Sequence, residues 1–264
     1  MPLTLGGNVV IRNGIDMDFC YREAIQSLLP VCDVVSVCDA ESTDGTQEDI
    51  RQWMKYEPKI SLCVWPWPNP KADPNYFTEW CNYNRTHLHT TYQFQLDADE
   101  VVSEKSYDEI LKFKSSPHPR PVTLRMKRWT FWRDHKHLIP VGQCLCDMVN
   151  RVAPQRLWLA SDGYHSQGEQ ASRIAIKSNI EIFHYGFIRK REAFFKKERF
   201  LQESWVGSYD PRLEKAEKYD GNWMTMPGVC GPDGAPGWEN KLDEYNGDHP
   251  KASHQWLKER GYDV

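Results

Sequence analysis

The sequence lacks the features that mark membrane-spanning, secreted or disulfide-stabilised proteins. No stretch approaches the ~18 consecutive apolar residues of a membrane-spanning helix. Residues 1–8 contain neither the basic nor the apolar region of a secretory signal. The 8 cysteines form no CxxC pair and have no His partner at zinc spacing, which indicates reduced and mostly buried thiols. We therefore expect a cytoplasmic protein whose core needs no disulfide.

An excess of one charge and phosphate-binding glycine loops are also missing. The 33 Lys and Arg residues face 37 Asp and Glu residues, so the formal net charge is only −4. This balance argues against salt-driven binding of nucleic acid by the whole surface. No GxxxxGK[ST] motif occurs, and Gly6 and Gly7 precede the first predicted strand instead of following it. Any bound phosphate must therefore be held by a metal ion and side chains.

Aromatic residues, in contrast, are abundant. The chain has 11 Trp, 12 Tyr and 10 Phe among its 264 residues, of which 27% are charged. In so polar a chain we expect part of the aromatic surface to lie near water, where rings can pack against ligands. Candidates for the rim of a binding site are Trp65, Trp67, Trp129 and Trp132.

Hydrophobic periodicity predicts alternating strands and helices over the first half of the chain. Apolar runs predict four strands, and apolar residues at helical spacing predict three helices between them. This order implies right-handed crossovers, so we expect an α/β fold with a mostly parallel central sheet flanked by helices. The predicted strands are residues 8–13, 33–38, 60–64 and 92–96, and the predicted helices are residues 18–29, a segment beginning at Thr46, and residues 77–88.

Acidic residues follow two of these strands. Asp39 ends the second strand, and the run Asp97-Ala98-Asp99-Glu100 ends the fourth. Ligands of open parallel sheets bind outside the carboxyl ends of the strands. Asp97 and Asp99 are two residues apart and face the same side, and two such carboxylates suit Mg²⁺ or Mn²⁺ carrying a phosphorylated ligand. The pattern predicts a nucleoside diphosphate site, with a merely solvated strand end as the alternative.

These segments resemble a known family. Residues 8–110, with the segment CDAESTDGT that begins at Cys38 and the segment LDADE that begins at Leu96, resemble the family-2 glycosyltransferases of the GT-A fold. The Arg12-Asn13 pair is similar to the opening of a subgroup that carries V-R-N and LDADE motifs. The resemblance implies a GT-A-like nucleotide-diphospho-sugar transferase fold. It also implies a metal-dependent enzyme that moves a sugar from a nucleoside diphosphate sugar to an acceptor hydroxyl, with inversion at the anomeric carbon.

The resemblance further implies roles for individual residues. Asp39 is expected to contact the base of the donor, and Asp97 to lie near its ribose. Asp99 is expected to ligate the Mn²⁺ or Mg²⁺ that bridges the diphosphate. Glu41 and Asn84 complete the predicted donor-binding set.

The second half of the chain supplies further candidates. A predicted strand over residues 180–185 carries His184, and the segment is similar to the subgroup's H-Y-x-Y…K segment, in which the His completes the metal coordination. A core histidine is the alternative. Residues 163–166, GYHS, replace the subgroup's V-H-E tripeptide and lack its carboxylate. A general base needs only a suitable pKa and reach to the acceptor hydroxyl. The candidates are Asp162 and His165, with Glu169 as a substitute and polar loop residues as the alternative.

We expect residues 1–119 to form the nucleotide-sugar-binding half and residues 120–264 the acceptor-binding half, with C-terminal helices, of one compact domain. Basic and aromatic residues alternate over residues 120–137, either to stack on sugars or bases or simply as an amphipathic strand. The expected partners are the donor and an acceptor glycan, glycolipid or modified nucleic acid. Two alternatives stay open: a glycan- or nucleic-acid-binding module without turnover, and a glycosyltransferase acting on hydroxylated bases of DNA.

Overall fold

One mixed sheet flanked by helices forms the framework of the protein. It is seen in a computed structural model, which describes residues 3–67, 75–116, 118, 120–140, 148–155, 157, 174–205, 209–219 and 242–264. The strands are β1 (Leu5–Ile11), β2 (Val34–Asp39), β3 (Ile60–Val64), β4 (Tyr92–Asp97), β5 (Glu100–Val102), β6 (Thr123–Trp132), β7 (His137–Leu138), β8 (Met148–Pro154), β9 (Ala175–Phe187) and β10 (Asp243–Glu244). The helices are α1 (Tyr21–Leu28), α2 (Thr46–Met54), α3 (Tyr76–Thr86), α4 (Tyr107–Ser115), α5 (Arg191–Trp205), α6 (Pro211–Glu217) and α7 (His254–Lys258). None of these helices is long and apolar enough to cross a bilayer.

The first half of the chain builds a parallel sheet. Strand β1 pairs in parallel with both β2 and β4, and β2 pairs in parallel with β3. Strand β8 adds to the free edge of β4 in the antiparallel direction, and β6 follows β8. Strand β9 runs parallel to β6 and antiparallel to β5. The predicted fold class is therefore confirmed, and the predicted second, third and fourth strands match β2, β3 and β4 to within one residue.

Strand β1 is buried along its whole length, as expected for a central parallel strand that helices cover. Gly6 and Gly7 lie inside β1, so the expectation that they precede the first strand is wrong. A β-carbon at Gly7 would lie 3.0 Å from Leu28 Cδ1, and one at Gly6 would lie 2.8 Å from Thr90 Oγ1. Neighbouring side chains thus approach β1 so closely that glycine is needed there.

Helix α1 begins at Tyr21, three residues later than predicted. Asp18 has a φ of 52°, which is a turn conformation and not a helical one. Its carboxylate accepts hydrogen bonds from the Lys190 backbone nitrogen, at 3.0 Å, and from the Arg260 guanidinium. Asp18 therefore forms a turn that links the N-terminal part of the chain to two distant segments.

Asn84 is a polar centre in the packing of α3 against the sheet. It is fully buried, and its Nδ2 donates to Asn8 Oδ1 at 2.6 Å and to the carbonyls of Val9 and Ser36 at 3.0 Å. Its Oδ1 accepts from Ser36 Oγ at 2.6 Å. The amide is thus satisfied within the core, where such networks fix one arrangement of the elements. Asn84 joins α3 to β1 and β2.

We expect Asn84→Leu to lower the free energy of unfolding by about 2–4 kcal/mol, because it leaves buried partners without their hydrogen bonds. Urea denaturation followed by circular dichroism measures this loss. Glu79→Leu, on the exposed side of the same helix, is the control and should change the value by less than about 0.5 kcal/mol. Equal losses in the two variants would contradict the role of Asn84.

Candidate functional site

A cavity of about 620 Å³, including its open mouth, lies at the carboxyl ends of β1 and β4. Helix α3 supplies one wall, and β9 and α5 from the second half of the chain supply the opposite wall. One end of the lining is charged and the rest is mainly aromatic. The polar lining residues are Arg12, Asp97, Asp99, His184 and Lys197, and the larger apolar ones are Met17, Phe19, Tyr76, Phe77, Trp80, Phe200 and Leu201.

Strand register brings the two predicted acidic segments together. Asp39 is the partner of Ile11 across the pairing of β1 with β2, and Asp97 is the partner of Val10 across the pairing of β1 with β4. Both carboxylates therefore follow strands that end beside the last residues of β1. Val10 and Ile11 themselves line the cavity, so the predicted convergence at one sheet edge is observed.

Asp39 and Glu41 shape the turn that follows β2. The Asp39 carboxylate is fully buried and accepts from the Ser42 backbone nitrogen at 2.8 Å and from Gln47 Nε2 at 2.7 Å. Glu41 has a φ of 53°, and its Oε2 accepts from the Trp67 backbone nitrogen at 3.0 Å. Neither side chain lines the cavity, so both lie beside it and fix the turn at its border. Their predicted contacts with a donor remain predictions.

Arg12 packs against the aromatic residues at this border of the cavity. Its guanidinium lies 4.5 Å from the ring centroid of Trp67 and donates to backbone carbonyls just after β2. Trp67 also packs against Phe200 of α5, with ring centroids 5.2 Å apart. Trp65 instead packs on Tyr83, with centroids 4.8 Å apart. Of the four tryptophans predicted for the rim, Trp67 stacks on rings of the cavity wall, and Trp65 packs against the cluster that contains Val10 and Trp80.

The basic and aromatic residues of β6 do not form a platform at the cavity. Alternation along the strand turns Arg128 and Trp132 into the interior, where both are buried. Trp129 donates from Nε1 to Glu181 at 2.9 Å, and Lys127 Nζ lies 3.1 Å from its ring centroid. The expectation that Trp132 lines the rim is wrong, because its ring fills a core cluster instead.

Asp99 lies at the centre of the charged end. Its Oδ2 accepts from Arg189 Nη2 at 2.7 Å and from Lys197 Nζ at 3.3 Å, and its Oδ1 is 3.6 Å from His184 Nε2. Burial raises the pKa of Asp99, but Lys197 and Arg189 outweigh it, so this pKa lies below its ordinary value. Burial lowers the pKa of His184 well below its ordinary value, so the imidazole is neutral at pH 7. A β-carbon at Gly186 would lie 2.5 Å from His184 Nε2, so glycine makes this approach feasible.

Asp97 and Glu100 form a second group of ion pairs, next to the group around Asp99. Arg151 Nη2 donates to Asp97 Oδ2 at 2.7 Å and to Glu100 Oε1 at 2.6 Å, and Arg128 Nη1 lies 3.2 Å from the same Glu100 oxygen. Burial raises the pKa of Asp97 to about 6, although Arg151 opposes this shift. Among the described residues, the Oδ1 of Asp97 has no hydrogen-bond donor, and the atom is buried.

The predicted metal ligands meet, yet the surrounding charges do not favour a divalent cation. Around the acidic run, three carboxylates pair with four cationic side chains, and a further carboxylate, Glu198 of α5, lies near Lys197, Arg189 and Asp99. A Mn²⁺ or Mg²⁺ ion on Asp99 would lie beside Arg189 and Lys197, and like charges at such distances repel strongly in a buried site. In the described part of the chain, no group of three or more His, Cys, Asp or Glu side chains could hold a metal ion. As placed, these residues do not fit the predicted metal.

Of three further predicted residues, one lies away from the cavity and two lie outside the described residues. Asn84 has the core contacts described above and does not line the cavity, and its predicted contact with a donor stays a prediction. Asp162 and His165, the predicted general bases, lie outside the described residues. Their role remains a prediction.

Sequence reasoning missed the cations that pair with the acidic run. Arg151 and Arg189 lie 54 and 90 positions from their aspartate partners, and no local spacing signals such contacts. Lys197 had a partial signal, because it follows the His-Tyr-Gly segment on a basic helix. Arg128 lies in the segment of alternating basic and aromatic residues, where nothing in the sequence distinguishes a buried cation from an exposed one. Buried cations beside buried carboxylates are a consequence of the tertiary fold.

Comparisons with known proteins complete the description. No protein-family model matches the sequence, and no curated protein gives a significant match. S. aureus TarS 1-349 is similar at 10% identity with a TM-score of 0.47, covering 84% of this chain and 67% of that chain. The complex of TarS 1-349 with UDP-GlcNAc is similar at 11% identity with a TM-score of 0.47, and the match covers 84% of this chain and 68% of that chain. A further similar structure is the mannosyltransferase PcManGT from Pyrobaculum calidifontis in complex with GDP-Man and Mn²⁺. It has 14% identity and a TM-score of 0.48, and the match covers 80% of this chain and 67% of that chain. At such identities we infer function from the residues of this chain.

We expect Arg151→Met to lower the free energy of unfolding by about 3–5 kcal/mol, because it leaves two buried carboxylates without their shared partner. Chemical denaturation at neutral pH measures this loss. Arg125→Met is the control, since Arg125 is exposed on the neighbouring strand, and should change stability by less than about 0.5 kcal/mol. A loss below about 1 kcal/mol for Arg151→Met would show that the ionic group is not needed for folding.

Proposed function

We propose that the chain is a glycosyltransferase that moves a sugar from a nucleoside diphosphate sugar to an acceptor hydroxyl. The observation that carries the proposal is the cavity at the carboxyl ends of β1 and β4, with a charged end and an aromatic wall. Ligand sites of open α/β sheets lie at this edge. Aromatic rings suit the faces of a base and a sugar, and cations suit a diphosphate. The LDADE resemblance supports the same assignment.

The geometry suggests how the donor lies. The base is proposed to lie toward the turn after β2, near Asp39 and Glu41, and the ribose near Asp97, which lines the cavity. The diphosphate then lies at the end lined by Asp99, His184 and Lys197. In this arrangement residues 1–119 hold most of the donor. Residues 120–264 close the cavity with β9 and α5 and are proposed to bind the acceptor.

The proposed reaction is a displacement at the anomeric carbon. A general base takes the proton of the acceptor hydroxyl, the acceptor oxygen bonds to the anomeric carbon, and the bond to the diphosphate oxygen breaks with inversion. Asp162 and His165 are the proposed bases. The family resemblance implies a Mn²⁺ or Mg²⁺ ion, but the cations that pair with Asp99 do not favour a metal ion there.

Donor turnover tests the proposal. We expect the protein to hydrolyse or transfer one sugar from a panel of UDP-, GDP-, CMP- and dTDP-sugars, assayed with Mn²⁺ and with EDTA. Leu201→Trp fills the cavity from α5 and should lower turnover by about tenfold or more, because donor and ring cannot share the space. Leu111→Trp, at an exposed leucine of α4, is the matched control and should leave turnover unchanged.

The remaining outcomes separate the alternatives. Glycan or single-stranded nucleic acid binding without turnover of any donor would replace the enzyme with a binding module. Turnover that depends on DNA containing hydroxylated bases would identify the acceptor as nucleic acid. Equal turnover by Leu201→Trp and the parent protein would show that the cavity is not the donor site.

A further inference from the structure

The carboxylates of the acidic run are paired with buried cations. Asp99 is nearly buried, and both cations on its Oδ2 come from the segment after β9. The carboxylate therefore has little negative potential left to offer a metal ion. Lys197 lines the cavity, so an anion that enters meets its ammonium group, and buried charges interact more strongly than exposed ones.

Arg189 is fixed within this cluster. Its Nε donates to the Gly186 carbonyl at 2.9 Å, its Nη1 to the Met17 carbonyl at 2.5 Å, and its Nη2 to Asp99 at 2.7 Å. All three nitrogens have protein acceptors. Arg189 therefore holds Asp99 in place and contributes charge, and it has little freedom to turn toward a ligand.

Lys197 is placed differently. It lines the cavity and is only 8% exposed, and its Nζ is 3.3 Å from Asp99 Oδ2. This contact is longer than is usual for a charged hydrogen bond. Phe19 and Phe187 pack around the ammonium group, with ring centroids 5.9 and 5.5 Å from Nζ. An ammonium group carries three donors, so Lys197 can hold Asp99 and still donate to an oxygen in the cavity.

We propose that Lys197 takes the place of a divalent cation and binds the diphosphate of the donor directly. The proposal rests on the function proposed above. When the bond between the anomeric carbon and the diphosphate oxygen breaks, the electron pair stays on that oxygen. Lys197 stabilises the added charge by a hydrogen bond and keeps its own proton, and the acceptor proton goes to the general base. The reaction thus needs no metal ion at Asp99.

Binding measured without metal tests the proposal apart from turnover. Isothermal calorimetry in EDTA measures the Kd of inorganic pyrophosphate, of UDP and of GDP. We expect the wild type to bind pyrophosphate and at least one of the two nucleotides. Lys197→Met should raise these Kd values about tenfold, equivalent to about 1.4 kcal/mol, and Lys197→Arg, which keeps the charge, should remain within about threefold of wild type.

A neighbouring lysine provides the matched control. Lys196 lies one position earlier on α5, is half exposed, and pairs with Asp16 outside the cavity. Lys196→Met removes the same charge from the same helix, so an effect of overall charge would appear in both variants. We expect its Kd values to equal those of wild type.

Asp99→Asn distinguishes the two roles of the acidic motif. If Asp99 were a metal ligand, this variant would lose nucleoside diphosphate binding in Mn²⁺. In our proposal it removes a competitor for Lys197, so binding in EDTA should be retained or become tighter. Thermal unfolding, followed by circular dichroism, verifies that each variant is folded at the temperature of the titration.

The outcomes separate this proposal from the proposed function. The Lys197 site is wrong if wild type binds diphosphates only with Mn²⁺ or Mg²⁺, if Lys197→Met binds as wild type does, or if Lys197→Arg is as weak as Lys197→Met. Donor turnover that needs a metal, combined with no binding in EDTA, would leave the transferase intact and remove the role of Lys197. Diphosphate binding that depends on Lys197, without turnover of any donor, would support the anion site and remove the transferase.

Discussion

The buried ion pairs around the turn from Asp97 to Glu100 are the interaction on which the rest of the structure depends. Arg151 of β8 and Arg128 of β6 meet Glu100, and two cations from the segment after β9 meet Asp99. Burying a charge without a partner is costly, so each carboxylate needs its cation for the fold to form. The turn after β4 thereby fixes the antiparallel part of the sheet and α5 against the parallel part.

The same ion pairs set the electrostatic character of the cavity. A strand end rich in carboxylates would attract cations if it were solvated, but its pairing with buried guanidinium and ammonium groups neutralises its charge. The cavity then suits an anion at its charged end and flat rings along its aromatic wall. A nucleoside diphosphate sugar combines both features, which is why the site, and not the sheet alone, supports the proposed chemistry.

The sequence was informative where the contacts are local. Apolar periodicity predicted β2, β3 and β4 closely, and the rule for parallel sheets placed Asp39 and Asp97 at one edge. It was uninformative where partners are distant, since Lys197 is 98 positions from Asp99. Asn84 lies on a helix that was predicted, but its amide is engaged by Asn8 and core backbone groups. Helical spacing tells which way a side chain points and says nothing of the partner it meets.

A crystal structure of the protein with a bound nucleoside diphosphate, grown in EDTA, tests the central claim most directly. The account predicts the base against the aromatic wall and a diphosphate oxygen within hydrogen-bond distance of Lys197 Nζ. A nucleotide bound outside the cavity between α3 and α5 would contradict it, as would a diphosphate in the cavity that makes no contact with Lys197.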